Sequence, residues 1–145
     1  MSELVKSFEK ANLPDAILVL TGYDDRFGIK PQSTQNVISL MIDDPKDVKN
    51  AIVDADCYIM NSSEEGFGLV ILESMINNTP WIARNIAGAR LLSEYGDVYE
   101  TDDELVHLLR NFQVDSEKVK RAYTHVVTNH LIENTIDDIA FLMKQ

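Results

Sequence analysis

The sequence predicts an α/β fold, a doubly wound open parallel sheet of five strands with helices on both faces. Short apolar runs alternate with stretches of helical character, which is typical of βαβ units. The runs are nearly continuous in apolar residues, as expected of strands buried on both faces. The predicted strands span residues 16–20, 37–41, 57–60, 81–83 and 98–99.

The helices are predicted from the periodicity between these runs and from their start signals. Asp44 before Pro45, Thr101 before three acidic residues, and Asp115 before Ser116 are typical N-terminal caps. The acidic clusters are therefore interpreted as caps and solvated helix faces rather than as a metal site. The predicted helices span residues 3–10, 46–53, 67–77, 87–95, 102–111, 116–129 and 133–144.

Length and composition indicate a single domain over residues 1–145, since a chain of this size builds one well-buried core. Thirteen basic residues against 24 acidic ones leave a net charge of −11, which repels nucleic acid and anionic lipid. No nucleic-acid partner is expected. An anionic ligand needs local help from a helix N-terminus or a few cations.

The single cysteine and the N-terminal composition bear on the cellular compartment. Cys57 has no intramolecular disulfide partner and lies in an apolar run, so we expect an inert core thiol. The first residues lack the apolar core of a signal peptide, and no run is long enough for a transmembrane segment. We therefore expect a soluble, cytoplasmic protein.

Ligands of open parallel sheets bind beyond the carboxyl ends of the strands, and residues 61–68 are the richest such segment here. Gly66 and Gly68 flank Phe67 at the start of a helix, so backbone N–H groups can approach an anionic or hydroxyl-bearing ligand. Glu65 precedes them, and Glu73 follows two turns into the helix. Spacing alone leaves an alternative open, in which the glycines form an ordinary loop and Glu73 faces solvent beside Ser74 and Asn77.

Residues 55–75 resemble the signature of the family 4 glycosyltransferases, which are retaining enzymes of the GT-B fold. In that family two glutamates, separated by seven intervening residues, bracket Gly-Phe-Gly-Leu; here they are Glu65 and Glu73 around residues 66–69. Residues 78–83 (Asn-Thr-Pro-Trp-Ile-Ala) are similar to the family's Gly-x-Pro-Val-Val-Ala strand, and residues 86–88 (Ile-Ala-Gly) to its Val-Gly-Gly loop. The similarity is weaker but in register from about residue 2 to the C-terminus.

The resemblance implies that this chain is the nucleotide-sugar-binding, Rossmann-like half of a hexosyltransferase. Glu65 is the implied catalytic residue, which contacts the donor sugar and stabilises the reacting centre. Glu73 is implied to bind the ribose, and backbone near Met41 to contact the base. The implied donor-binding residues are Gly66, Phe67, Gly68, Leu69, Glu73, Gly22, Met41, Arg84 and Gly88. No metal and no cofactor are implied beyond the substrate, a nucleotide sugar such as UDP- or GDP-hexose.

The sequence also departs from the family pattern. The family's domain begins with one more strand carrying two basic residues that clamp the diphosphate; both cations are missing here, so weak donor binding is expected. Closing the sheet without that strand predicts the order 2-1-3-4-5; the alternative is a fragment whose central strand comes from a partner chain. Asn78 and Ala87 stand at family glycine positions, and Asn tolerates the left-handed conformation needed after a helix.

The acceptor-binding half of a GT-B enzyme has no counterpart in this sequence pattern. The expected partner is therefore a separate acceptor-domain subunit, and no activity is expected of the chain alone. The alternative is a non-catalytic nucleotide-sugar-binding or assembly subunit of the same fold. A receiver-like signalling domain is disfavoured because Asn61 stands where its phosphoacceptor Asp is needed.

Trp81 is predicted to pack in the core. The histidines at 107, 125 and 130 lack metal-ligand spacing and are predicted to serve as surface or packing residues.

Overall fold

The structure is a computed structural model that describes residues 3–21, 34–40, 44–63 and 68–130. None of the helices in these ranges is long and apolar enough to cross a membrane. In chain order the elements are α1 (Glu3–Ala11), β1 (Leu18–Thr21), β2 (Val37–Leu40), α2 (Pro45–Asp54), β3 (Tyr58–Met60), α3 (Leu69–Ile76), β4 (Trp81–Arg84), α4 (Ala87–Leu91), β5 (Asp97–Tyr99), α5 (Asp102–Arg110) and α6 (Ser116–Asn129).

The predicted helix caps are confirmed. Asp44 Oδ1 accepts a hydrogen bond from Lys46 N at 2.8 Å at the start of α2. Thr101 and Glu104 form a capping box on α5, and Asp115 Oδ1 accepts from two backbone amides of α6, each at 3.0 Å. Each cap satisfies N–H groups that have no acceptor within the helix, which explains why local sequence defines these starts well.

One helix end differs from the prediction, because α4 ends at Leu91 and not at residue 95. The amide of Leu92 donates to Ala89 O at 3.1 Å, and that of Tyr95 donates to Leu92 O at 2.8 Å. These three-residue spacings are turns that replace the helical ladder and lead the chain into β5. The helix predicted over 133–144 lies outside the described residues.

The strands form an α/β arrangement with two ladders, β1-β2 and β3-β4-β5. β1 and β2 run parallel, with Leu18 opposite Val37, and β3 and β4 run parallel, with Tyr58 opposite Trp81. The neighbours within each ladder agree with the predicted order 2-1-3-4-5. The described strands form two sheets where the prediction had one.

The chain divides into two compact units, and a single domain over residues 1–145 stays a prediction. The first unit contains α1, β1, β2, α2 and α5. Its helices α1 and α5 pack through buried apolar residues, namely Leu4, Val5, Phe8, Leu105, Val106 and Leu109. Arg110 donates to the carbonyls of Lys10 (2.7 Å) and Ala11 (3.2 Å), so a cation caps the negative end of α1.

The prediction that strands are buried on both faces is wrong for β1 and β2. Leu18 and Val37 are buried, whereas their neighbours Val19 and Ile38, which lie opposite each other in the ladder, are 44% and 41% exposed. Successive side chains of a strand point to opposite faces, and only one face is covered within the described residues. The continuous apolar run therefore overstated the burial of this sheet.

The second unit contains β3, α3, β4, α4, the first two residues of β5, and α6 around one apolar core. Trp81 is 2% exposed, which confirms its predicted packing role. The backbone at Gly96 lies against its indole so closely that a Cβ there would come within 2.1 Å of Trp81 Cε2. Asn78 adopts φ 59 after α3, as predicted for a residue that ends a helix in the left-handed region.

Cys57 lies in this unit just before β3. Burial, together with the nearby carboxylates of Asp97 and Asp56, raises the pKa of its thiol to about 12. Since the thiolate is the reactive form of cysteine, the group is an inert thiol at neutral pH. The thiol is half-buried rather than fully enclosed.

Candidate functional site

A left-handed glycine precedes α3. Gly68 has φ 74 and ψ 53 and is the N-cap residue of α3. Its carbonyl accepts a hydrogen bond from Ile71 N at 2.8 Å, which closes the first turn. A side chain here would be strained by the backbone conformation, since L-residues disfavour positive φ. Gly68 therefore sets the angle at which the chain enters the helix.

The N-terminus of α3 has the properties of an anion site. Gly68 has no side chain to cap the helix, and the first turn carries no acidic residue. The first N–H groups of a helix lack intrahelical acceptors and carry the positive end of the dipole. The side chain of Leu69, at the first position, is 67% exposed, whereas Gly68 before it is buried.

The outward side of α3 carries Glu73. Ile71, Ser74 and Met75 are buried, whereas Glu73 is exposed. The Ser74 hydroxyl donates to Ile71 O at 2.7 Å, which satisfies it inside the core. Glu73 and Ser74 thus occupy different faces, although the sequence placed them on one arc. An exposed carboxylate fits both interpretations of Glu73, a ligand-binding residue and a solvated one.

A cation lies at the same edge of the β3-β4 ladder. Arg84 ends β4, is half-buried, and donates from Nη2 to Asn61 Oδ1 at 3.2 Å; Asn61 follows β3 directly. The two strands are parallel and paired, so their carboxyl ends share one edge. The Asn61 contact limits the directions in which the guanidinium can point. Sequence spacing alone did not predict that Asn61 is the partner of Arg84. The two residues nevertheless occupy corresponding places, since Asn61 follows β3 directly and Arg84 ends β4.

The loop after β4 adds a second polar pair and a buried glycine. Arg90 Nε donates to Asn85 Oδ1 at 3.0 Å, which ties α4 to the residue that follows β4. Gly88 is buried in the first turn of α4. Of the predicted donor-binding residues, the structure thus describes those on α3, at the end of β4 and on α4, namely Gly68, Leu69, Glu73, Arg84 and Gly88.

The remaining predicted site residues lie outside the described residues, namely Glu65, Gly66, Phe67, Gly22 and Met41. The convergence of Glu65 and Glu73 on one crevice therefore stays a prediction. Within residues 3–21, 34–40, 44–63 and 68–130, no group of three or more His, Cys, Asp or Glu side chains is arranged to hold a metal ion.

Comparison with solved structures identifies proteins with similar folds, some of which were solved with bound ligands. The structure of Anabaena HepE in complex with UDP-glucose superposes with a TM-score of 0.74 at 20% identity, and covers 98% of this chain and 44% of its own. The complex of HepE with UDP and glucose gives 0.75 at 19% identity with the same coverage. The GtfA/B complex gives 0.66 at 17% identity and covers 98% of this chain and 32% of its own.

These similarities show the fold, which is Rossmann-like and of the GT-B type. The chain spans less than half the length of the structures it matches. No curated protein sequence matches it. A sequence model of the family described as glycosyl transferases group 1 matches residues 1–122. Because that match covers most of the 145 residues, the chain belongs to the glycosyl transferases group 1 family.

Proposed function

We propose that this chain is the donor domain of a retaining hexosyltransferase of the family 4 type and binds a nucleoside diphosphate sugar at the carboxyl edge of β3 and β4. One observation carries the proposal: the N-terminus of α3 has no side-chain cap and begins at the left-handed Gly68, in the connection that follows the parallel strand β3, in a chain of this family. Nucleotide phosphates bind at such strand-to-helix turns in doubly wound folds.

The ligands of the similar structures support a nucleotide sugar. HepE was solved with UDP-glucose and with UDP and glucose. A UDP-hexose is therefore our first choice of donor, and a GDP-hexose is the second. The donor is a substrate, and no further cofactor is proposed.

Electrostatics explain why Arg84 matters in this proposal. A net charge of −11 opposes the approach of a diphosphate. A helix N-terminus contributes about 0.3–1 kcal/mol at an exposed site, which is too little by itself. A guanidinium donates several hydrogen bonds in one plane and suits phosphate oxygens. We assign the diphosphate to Arg84 together with the amides of residues 66–69.

The sugar and the nucleoside are assigned to the remaining residues. Glu65 accepts hydrogen bonds from the sugar hydroxyls and stabilises positive charge at the anomeric carbon. Glu73, exposed on α3, accepts from the ribose hydroxyls. Backbone near Met41 contacts the base, while Gly22 and Gly88 allow close approach of the chain to the ligand.

The proposed reaction exchanges one bond at the anomeric carbon. The bond to the diphosphate oxygen breaks and its electron pair leaves with the nucleoside diphosphate. An acceptor hydroxyl forms the new bond on the same face, and its proton passes to the departing diphosphate. The amides at α3 and the Arg84 guanidinium stabilise the charge that develops on the leaving group.

Transfer requires a second domain in this proposal. Domain closure over the donor excludes water and presents the acceptor. The GtfA/B complex is an example of a similar fold solved with a partner, and it supports a separate acceptor-domain subunit here. An assembly of two subunits is also compatible with a second candidate function, in which the chain is a non-catalytic nucleotide-sugar-binding subunit.

The test is calorimetric titration of the chain with UDP-glucose, GDP-mannose and ADP-glucose up to millimolar concentration. We expect one of them to bind, and Glu65→Ala, Glu73→Ala and Arg84→Gln each to weaken it about tenfold, the equivalent of about 1.4 kcal/mol. Glu117→Ala and Arg121→Gln, which change exposed residues of α6, are the matched controls and should bind as the parent does.

Two results would count against the proposal: no nucleotide sugar binds, or the control variants weaken binding as much as the site variants. Tight binding without release of nucleoside diphosphate, in the presence of a copurified acceptor subunit, would support the non-catalytic alternative. Release that Glu65→Ala abolishes would support the enzyme.

A further inference from the structure

Two imidazole rings meet at the C-terminal end of α6. His125 lies in α6 and is half-buried, and His130 is its exposed C-cap residue with φ −127 and ψ 2. Their Nε2 atoms are 3.2 Å apart, and the ring centroids 5.1 Å apart. A spacing of five residues predicts that the rings lie on different faces of a helix. That prediction is wrong because His130 has left the helical conformation.

His125 is held in place by two neighbours. Its ring stacks on Tyr95 with centroids 4.5 Å apart and an interplanar angle of 29°. The Asn129 amide Nδ2 donates to His125 O at 2.9 Å and lies 3.3 Å from Nδ1 of the same residue. Contacts at the ring face and at Nδ1 leave Nε2 directed at His130. The pair is therefore partly ordered before any ligand binds.

The separation of the two nitrogens fits a shared metal ion. Two histidine nitrogens bound to one tetrahedral zinc at 2.0–2.1 Å lie about 3.3–3.4 Å apart. Imidazole is a preferred ligand of Zn²⁺, Cu²⁺ and Ni²⁺. We propose that His125 and His130 form a two-imidazole site for a divalent transition-metal cation of the Zn²⁺ class, with solvent completing the coordination.

Binding requires one proton to move. Two bare nitrogen lone pairs at 3.2 Å repel, so in the metal-free pair one Nε2 donates to the other. The cation replaces this proton, which passes through solvent to the Nδ1 atom of the same neutral ring. If that ring is His125, the Asn129 amide turns to offer Oδ1 to the new Nδ1–H. Both imidazoles remain neutral, and the complex carries the charge of the metal.

Negative charge attracts a cation to this pair. The carboxylate of Glu94 is close enough to act electrostatically on the His125 ring. The net charge of −11 adds a long-range attraction for cations. Both histidines lie beyond residues 1–122, which the family model matches, and neither is among the residues to which the donor is assigned.

The chain contains a matched control. His107 on α5 has the same arrangement with Asn111, whose Nδ2 donates to His107 O at 2.8 Å and lies 3.4 Å from Nδ1. His107 thus repeats the His125-Asn129 arrangement at another helix, and no second imidazole within the described residues contacts it. His107→Gln should leave zinc binding unchanged.

The experiment is calorimetric titration of the chain, purified without a histidine tag, with ZnCl₂. We expect one equivalent to bind, His125→Gln and His130→Gln each to weaken binding roughly tenfold or more, and MgCl₂ to give no heat. Far-UV circular dichroism checks that the variants fold. Imidazole ¹⁵N spectra provide a second readout, and zinc should shift Nε2 of both rings while His107 stays unchanged.

Zinc binding that survives both substitutions would overturn the proposal, as would the absence of binding to the parent chain. Imidazole spectra in which zinc shifts only one of the two rings would overturn it as well.

Discussion

Gly68→Ala tests the local structure on which the donor site depends. Gly68 has φ 74, a region that costs an L-residue about 1–2 kcal/mol. The added Cβ would lie 3.4 Å from Ile71 Cδ1 and 3.5 Å from Met60 Cε, which are ordinary contact distances. The cost is therefore conformational, and we expect a loss of about 1–2 kcal/mol in the free energy of unfolding, or roughly 3–8 °C in Tm.

The assay is equilibrium urea unfolding followed by circular dichroism. Gly68→Asn is the matched variant, because Asn tolerates the left-handed region better than Ala while adding more atoms. We expect Asn to be less destabilising than Ala. If Ala at 68 costs under about 0.3 kcal/mol, or if Asn costs more than Ala, the conformational argument for Gly68 is refuted.

Three further predictions concern the rest of the chain. Gly96→Ala should destabilise the fold by roughly 3 kcal/mol or more, because the Cβ would lie 2.1 Å from Trp81 Cε2. In thermal unfolding, the double variant with Trp81→Phe should lose less stability than the sum of the two single variants, and a fully additive loss would contradict the contact. The thiol of Cys57 has a pKa of about 12, against 9.0 for an unperturbed thiol. At pH 8 it should therefore react with a disulfide reagent roughly 10³-fold more slowly in the folded chain than in the chain unfolded by urea, and equal rates would contradict its burial. Thr101→Ala should cost about 1 kcal/mol in urea unfolding through loss of the capping box, whereas Thr124→Ala on α6 should cost less.

The parts of the fold that depend on local chemistry were predictable from the sequence. Asp115 caps α6 because its carboxylate reaches two amides within three residues, a contact that sequence spacing defines. Trp81 in an apolar run was predicted to be in the core, and Asn78 to adopt a left-handed conformation, for similarly local reasons.

The features that depend on distant parts of the chain were not predictable. The exposed face of Val19 and Ile38 depends on which elements cover the sheet, and strand composition does not contain that information. The Asn61 contact that orients Arg84 joins residues 23 positions apart through a strand pairing. The His125-His130 pair arises from one backbone conformation after a helix end, where periodicity no longer applies.

For the candidate site, the roles of the predicted residues stay predictions, and the structure describes the geometry of only some of them. Gly68 adopts a left-handed conformation that favours glycine, while the close approach of backbone to a ligand stays a prediction. Glu73 is exposed as a ligand-binding carboxylate must be, but exposure alone does not distinguish it from a solvated residue. The role of Glu65 stays a prediction.

The most direct test of the donor site is an amide chemical-shift map of the ¹⁵N-labelled chain, which at 16.4 kDa is well suited to it, during titration with UDP-glucose. The account predicts saturable shifts at Gly68, Leu69, Val70 and Arg84, with α5 unaffected. Shifts confined to other surfaces, or no shifts at these four residues at millimolar ligand, would contradict it.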